Sequence, residues 1–500
     1  MTNLPTYDLI VIGGGPAGST AALRARELGA SVALVERGAM GGTCTNDGCV
    51  PTRVLARAAR LMSAASQFPD YGMAAPLPEL DFQRLLARTQ AIVYEIHEKK
   101  QLIAHLEASG VAVYAGVGEA GFVDPHTIAL PDGRLLRGEK FILAAGGRAR
   151  RLDFPGEELA LTHSDIWRLQ KLPRSVAIVG GAATGCQLAA IFNAFGSQVT
   201  VLDVASRILA AEDSLVAQAM TEAFARRSID VRTGIGGIER LERAGGELAL
   251  AYKQGDGVET LAAEAVVMST GWLGNLDGLN LPAAGVETNG RYVLADETCR
   301  TSAPHIFACG DIDGRMMLVQ SAGYEARIAA ENAVLGGAGR KEYQVVPHGG
   351  FTNPEYASVG PTEEQAIKDK DCVVAVVPYA DLDRAVIDGR TEGFCKLIVD
   401  RETHRLVGAH VVGEQALEIV HVVAAGMAAD MWVEQLAELQ IAYPTFTAIL
   451  GLAARRIVAE LGVTPLTPEW RTLSRAPAEW EQRSADHEGG TTKTQRYTKA

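Results

Sequence analysis

Short apolar runs alternate with helical stretches through the first two thirds of this chain. Residues 7–13 (Tyr-Asp-Leu-Ile-Val-Ile-Gly) form an apolar run of strand length, an alanine-rich helix follows to about Leu28, and 31–35 is apolar again. The order repeats further on, with a strand predicted over 175–179, a helix over 186–195 and a strand over 198–202. Between the repeats, 81–109 has the periodicity of an amphipathic helix, and 112–122, 127–130 and 141–145 read as strands. Two further strand-and-turn segments are expected at 266–271 and 305–311. From about Lys341 the pattern changes. Residues 394–399 and 406–412 alternate like antiparallel strands, while 416–429 and 446–461 read as apolar helices suited to a core or a dimer surface. The run 419–432, which carries His421 and Asp430, is expected to be a buried helix, and the polar sequence after about Trp470 a flexible tail. The implied fold class is α/β, with two Rossmann-like units followed by a C-terminal α+β unit.

The turns of the two repeats carry chemistry. The first has Gly13, Gly15 and Gly18 in G-x-G-x-x-G spacing, with Glu36 ending the next strand, 23 residues beyond Gly13. Such glycines make the tight turn, admit a pyrophosphate to the backbone and let helix pack on strand, while the acid accepts from a ribose hydroxyl. The second has Gly180, Ala182, Gly185 and Asp203, again 23 residues apart from first glycine to acid. Ala182 stands where the backbone would meet phosphate, so a methyl must be accommodated. Two units imply two dinucleotides. Asp311, after the run 305–311, is placed either to accept from a polyol hydroxyl or to cap the following turn.

The stretch Gly41-Gly42-Thr43-Cys44-Thr45-Asn46-Asp47-Gly48-Cys49-Val50-Pro51-Thr52-Arg53 puts two cysteines five positions apart. On an ideal helix that is about 7.5 Å of rise, beyond the roughly 6.8 Å Cα–Cα reach of a disulfide. Contact therefore needs a distorted backbone, which Gly48 permits. A helix predicted from about Pro51 to Leu61 would place its N-terminal dipole beside Cys49 and favour a thiolate. Redox chemistry and two buried structural cysteines both remain open at this level.

Composition narrows the setting. The chain has 500 residues, 47% hydrophobic, with net charge −13, which disfavours nucleic acid and anionic membrane as partners. No apolar run reaches membrane-span length, and the opening residues leave no room for a signal peptide. Seven cysteines do not make a disulfide scaffold, so a reducing cytoplasm is expected, where a dithiol is more often catalytic than structural.

With these residues in hand, residues 5–465 resemble the class I pyridine nucleotide–disulfide oxidoreductases, which include dihydrolipoyl dehydrogenase, glutathione reductase and mercuric reductase. The motifs are the first fingerprint, GGTCTNDGCVPTR, FACGD at 307–311, FTNPEYASVG at 351–360 and GFCKLIVD at 393–400. The resemblance implies an FAD-binding domain over 1–150 and 290–338, an NAD(P)H-binding domain over 151–289, a dimerisation domain over 339–468 and a tail over 469–500. It implies a homodimer and a redox-active Cys44–Cys49 disulfide, with Cys49 as the flavin-facing, charge-transfer thiolate and Cys44 as the interchange thiol. Gly13, Gly15, Gly18, Glu36, Gly42, Thr43 and Asp311 match the family's FAD contacts, and Gly116 falls near the adenine. Gly180, Ala182, Gly185, Asp203 and Gly271 fall on the nicotinamide dinucleotide side. Asp203 favours NADH over NADPH, since an acid repels a 2′-phosphate, with Arg207 close enough to oppose it.

The departures bear on function. The family's catalytic His-Pro-Thr-x-x-Glu is Tyr443-Pro444-Thr445-Phe446-Thr447-Ala448, so both the acid–base His and its orienting Glu are lost. Tyr443 is either a packed interface aromatic or a substrate contact. The Lys–Glu pair lying against the flavin in relatives becomes Arg53 and Gln187, a fixed cation expected to face a neutral amide. Trp272 replaces the family's Arg after the Gly271 turn. The expected activity is NAD(P)H-dependent FAD disulfide oxidoreduction with a non-standard acceptor: a metal ion, a quinone-like electrophile or an unusual disulfide. The alternatives are conventional dihydrolipoyl or glutathione-type reduction, and an electron-transfer subunit docking a redox protein.

Overall fold

The computed structural model describes residues 4–74, 76 and 78–463; the expected tail at 469–500 lies outside them. The first unit is built on a parallel sheet in the order Val111–Ala115, Val32–Glu36, Thr6–Ile12, Leu135–Leu143, Ile306–Ala308. Strands Thr127–Ala129 and Gly121–Asp124 extend its edge antiparallel. The inner strand residues 9–12, 32–35, 141–143 and 306–308 are apolar and buried because helices and loops cover both sides. On one face helix Pro16–Glu27 packs against helix Val319–Leu335. Ala21, Ala22 and Ala25 of the first meet a surface of Ala326, Ala329, Ala330 and Ala333 in the same core, all fully buried. Alanine faces allow close approach at no side-chain entropy cost.

The second unit repeats the design in a four-stranded parallel sheet, Asp230–Thr233, Gln198–Asp203, Ser175–Val179, Ala265–Met268. An antiparallel meander, Gly237–Ala244, Glu247–Gln254 and Gly257–Ala263, packs beside it. A short ribbon, Gly147–Ala149 with Trp272–Gly274, joins the two units. The third unit is a five-stranded antiparallel sheet in the order His348–Gly350, Tyr356–Val359, Leu406–Val412, Phe394–Asp400, Cys372–Pro378. Helices Ala416–Ala428 and Ala448–Glu460 cover it.

Several expectations are corrected. The predicted helix over 81–109 is two helices, Phe82–Lys100 and Leu102–Ala108, broken where Gln101 takes a left-handed conformation (φ 45°). The strand expected over 112–122 ends at Ala115, because Gly116 and Gly118 turn the chain with positive φ. The run 419–432 is not one buried helix. Helix Ala416–Ala428 buries Ile419, Val420 and Val423 but leaves His421 exposed, and Trp432 lies beyond its end. Among the described residues no helix is long and apolar enough to cross a membrane.

Candidate active site

The parallel strands of the first unit end at a cleft of about 1400 Å³, the usual place for a ligand in an α/β sheet. Gly13, Gly15, Glu36, Gly42, Thr43, Cys44, Cys49 and Asp311 line it. At the first turn Gly13 has φ +114°, and a Cβ there would lie 2.2 Å from the Ala144 carbonyl oxygen; one on Gly18 would lie 1.8 Å from the Gly13 carbonyl oxygen. Those two glycines are required by packing. Gly15 differs: its φ is ordinary (−75°), and a Cβ would only project to within 3.6 Å of the Gly42 Cα. It would fill the cradle between two bare backbones, which suits the close approach of a pyrophosphate. Glu36 accepts from the Gly14 N–H (2.6 Å) and the Gly38 N–H (2.7 Å), so its charge is fixed at the strand end. Gly116 bonds through its N–H to the Gly38 carbonyl; it is not among the residues lining the cleft, whereas its neighbours Gly118 and Glu119 are.

The redox stretch folds as two helices. Gly42–Asn46 carries Cys44, and Cys49–Ala65 begins on Cys49 itself, two residues before the predicted start. Asp47 (φ −144°, ψ −20°) and Gly48 (φ −115°, ψ −99°) break the helical path, and the Thr43 carbonyl accepts from both their N–H groups (2.9 and 2.6 Å). The break brings the two cysteines side by side, each the largest influence on the other's ionisation. Hydrogen bonding from Cys44 holds the Cys49 thiol below its ordinary pKa; burial opposes it and the N–H of Cys49 assists it. Cys44 is pushed up as the donor, by burial and by the charge on Cys49, with Lys100 opposing. Asp311 is raised by burial and then by the charge of Asp313.

The second turn superposes conformationally on the first. Ala182 has φ −82° and ψ −171°, against −75° and −173° for Gly15, and its methyl is exposed rather than clashing. Gly180 and Gly185 are packed like Gly13 and Gly18, with Cβ positions 2.3 and 1.8 Å from carbonyl oxygens. Asp203 accepts from the Gly181 N–H (2.5 Å) and the Ala205 N–H (2.7 Å). Ala183, Thr184 and Gln187 of the following helix reach the common cleft, so the second turn opens toward the dithiol. Arg207 points away: its guanidinium bonds the carbonyls of Ala210 and Glu212 and lies 3.8 Å from Glu364.

Other expected positions fall differently. Arg53 does not face Gln187. Its guanidinium lies over the Phe351 ring and 3.7 Å from Glu355, and it is not among the cleft-lining residues. Gln187 instead accepts from the Phe351 N–H (3.2 Å), so Phe351 separates the expected pair. Gly271 is a turn residue (φ +101°) whose carbonyl accepts from the Arg150 N–H; Trp272, not Gly271, lines the cleft and packs its ring 4.7 Å from that of His163. Tyr443 lies outside the cleft of its own chain, 77% exposed, donating to Asp383 (2.7 Å). Asp47, His163, His348 and His421 also line the cleft and were not singled out from the sequence. For Asp47 the signal was available: a lone acid inside the two-cysteine loop.

The family described as pyridine nucleotide-disulphide oxidoreductase matches residues 7–326, and its dimerisation domain matches 346–454. A mercuric reductase of Lysinibacillus sphaericus is 33% identical over 461 residues, covering 91% of this chain and 83% of that protein. A dihydrolipoyl dehydrogenase of Bacillus subtilis (strain 168) is 30% identical over 466 residues, covering 90% and 97%. Among solved structures, the Cu(II) complex of the HOCl-induced flavoprotein disulfide reductase RclA from Escherichia coli matches with a TM-score of 0.80 and 26% identity, over 91% of this chain and 100% of that one. This chain belongs to the pyridine nucleotide-disulphide oxidoreductase family, whose members use FAD and NAD(P)H, and it is an oxidoreductase of that family.

Proposed function

We propose that this chain takes electrons from NADH and passes them through Cys44 and Cys49 to an acceptor other than an ordinary low-molecular-weight disulfide. One observation carries the reading: two thiols in mutual contact line the cleft, while position 443 offers a phenol instead of an imidazole. Gly13, Gly15, Gly18, Glu36, Gly42, Thr43 and Asp311 would hold FAD, which when bound supplies two-electron relay between nicotinamide and dithiol. Cys49 opens on the cleft and is the thiolate; Cys44 carries the shared proton and meets the acceptor. Closing thiol and thiolate to a disulfide releases two electrons to the acceptor and one proton. A soft metal ion or an electrophile can take those electrons without a protonated leaving thiol, whereas a disulfide acceptor needs a proton at its departing sulfur.

The similarity to mercuric reductase and to a Cu(II)-bound flavoprotein supports a metal-ion acceptor over the quinone-like and unusual-disulfide options. Asp203 would serve the ribose of NADH, a preference supported by Arg207 being directed at carbonyls and Glu364. The C-terminal unit would form a homodimer, and exposed Tyr443 would face the cleft of a second copy. The working site would be the cytoplasm, in keeping with seven cysteines in 500 residues.

The test is a steady-state acceptor screen with the FAD-loaded protein and both nucleotides. Turnover with Hg(II), Cu(II) or quinones well above that with lipoamide and glutathione disulfide supports the reading. The reverse order overturns it.

A further inference from the structure

Three side chains between the two cysteines are gripped from outside the loop, two of them by the end of one helix. Thr45, buried, accepts from Lys100 Nζ (3.3 Å) at the end of helix Phe82–Lys100. Asn46 donates to the Met40 carbonyl (3.0 Å) and meets His97 Nε2 (2.6 Å) through Oδ1. Asp47 reaches the other way, into the short helix His163–Arg168. Its Oδ2 accepts from Ser164 Oγ (2.5 Å), its Oδ1 accepts from Trp167 Nε1 (3.0 Å), and His163 Nε2 lies 3.6 Å from Oδ2.

These anchors oppose a simple alternative. Helix flanks the loop on both sides, and one continuous helix through it would separate the thiols by about 7.5 Å of axial rise. Gly48 permits the break but supplies no force for it; glycine costs a helix only about 1 kcal/mol relative to alanine. Asp47 is the residue whose backbone leaves the helical region while its side chain is held by three groups from outside the loop. We propose that Asp47 is the positioning residue of the thiol pair: by fastening the loop to Ser164, Trp167 and His163, it keeps the helix broken and Cys44 within hydrogen-bonding reach of Cys49. The proposal rests on reading Cys44 and Cys49 as the redox pair, but its test does not require turnover.

The consequence is chemical. The hydrogen bond from Cys44 is the largest influence holding the Cys49 thiol down. The other influences on the pair are burial, the N–H of Cys49 on its own thiol, the charge of Lys100 on Cys44 and that of Asp311 on both thiols. None of these replaces the bond if the loop relaxes. Loss of the anchor therefore raises the Cys49 pKa and slows its reaction at neutral pH.

The experiment is the pH profile of iodoacetamide alkylation at Cys49 in the reduced, FAD-loaded protein, read by peptide mass spectrometry. Asp47→Ala, which also favours helix, should move the midpoint up by about one unit and slow Cys49 alkylation about fivefold near pH 7. Asp47→Asn, which retains an acceptor for Trp167, should recover most of the shift. The double variant Ser164→Ala, Trp167→Phe removes two of the three side-chain anchors, together with the Trp167 bond to the Asp47 carbonyl (3.2 Å), and should reproduce most of it. That pair of substitutions keeps the inference testable if Asp47→Ala fails to fold. A midpoint equal to the unsubstituted protein's in the double variant, or in a folded Asp47→Ala, overturns the proposal. Failure of the unsubstituted protein to reduce metal ions, with the alkylation shift present in the variants, would count against the proposed acceptor chemistry instead.

Discussion

Arg53 lies over Phe351, its guanidinium carbon 4.0 Å from the ring centroid. The same guanidinium is 3.7 Å from Glu355, a carboxylate almost wholly enclosed, whose other basic partner is Arg60 at 3.0 Å. Glu355 Oε2 has no hydrogen-bond partner among the described residues, and burial, with the charges of Glu418 and Glu414, pushes its carboxyl pKa up against the pull of Arg60 and Arg53. Arg60 therefore holds the buried charge and Arg53 adds a partly screened contribution. Arg60→Ala should cost about 3–5 kcal/mol by leaving a buried carboxylate poorly paired. Arg53→Ala should cost about 1 kcal/mol, mostly through the lost stacking. Urea denaturation of both variants checks the order; a larger loss at Arg53 would reverse this assignment.

Gly15 and Ala182 share one backbone conformation but not one side chain. Gly15→Ala meets no atom closer than 3.6 Å, so it should fold normally while losing FAD, seen as flavin absorbance falling at unchanged far-UV dichroism. Ala182→Gly should tighten nucleotide binding by a small factor, measured as the Kd for NAD, because the methyl is removed from the corresponding approach.

His348 bonds to acceptors on both ring nitrogens: the Val346 carbonyl at Nδ1 (3.2 Å) and the Glu212 carboxylate at Nε2 (3.3 Å). Acceptors beside both nitrogens suit an imidazolium. Burial opposes that charge, but Glu212 outweighs it and raises the His348 pKa. Burial likewise opposes ionised Glu212, yet His348 and Ser358 hold its pKa low. The raised group stabilises fully below its unfolded value of about 6.5 and loses that contribution as pH rises through its folded value. The lowered group stabilises above about 4.3 and loses its contribution as pH falls through its folded value. The pair is thus worth most in mildly acidic solution. His348→Gln should flatten the alkaline side of the Tm–pH curve, and an unchanged slope would show that the pair does not bear on stability.

The sequence was most informative where periodicity and glycine spacing act locally. Both fingerprints, their acids and the paired strands Phe394–Asp400 and Leu406–Val412 stand within a residue or two of expectation. It was least informative where distant segments decide. Helix Gly42–Asn46 is too short to show a period, and it exists because its side chains are held by Lys100 and His97. The Arg53–Gln187 pairing failed because Phe351, some 300 positions away, occupies the space between them. A break such as Gln101 follows from docking of the next helix, and no glycine or proline announces it.

The loss of the imidazole at position 443 leads to the most decisive test. Lipoamide or glutathione disulfide reduction needs a proton at the departing sulfur, and general acid help is worth roughly a hundred- to ten-thousand-fold. Of the imidazoles near the dithiol, those of His97 and His163 are committed elsewhere, while His421 lines the same cleft with its Nδ1 against the Leu417 carbonyl. Asn46 donates its amide to the Met40 carbonyl, so its oxygen must accept from His97, whose Nε2 proton points at Asn46. His163 faces Asp47 and Ser164. Tyr443 is exposed and bonded to Asp383, which raises its pKa further above neutrality. Turnover with both disulfides should therefore be slow and limited by proton delivery. Tyr443→His alone should gain little, because Ala448 cannot orient the ring. Tyr443→His with Ala448→Glu should raise disulfide kcat at least tenfold, with little change in nucleotide KM. Fast disulfide turnover by the unsubstituted protein, or no gain in a folded double variant, would mean that the proton comes from a group other than the one this chain has lost.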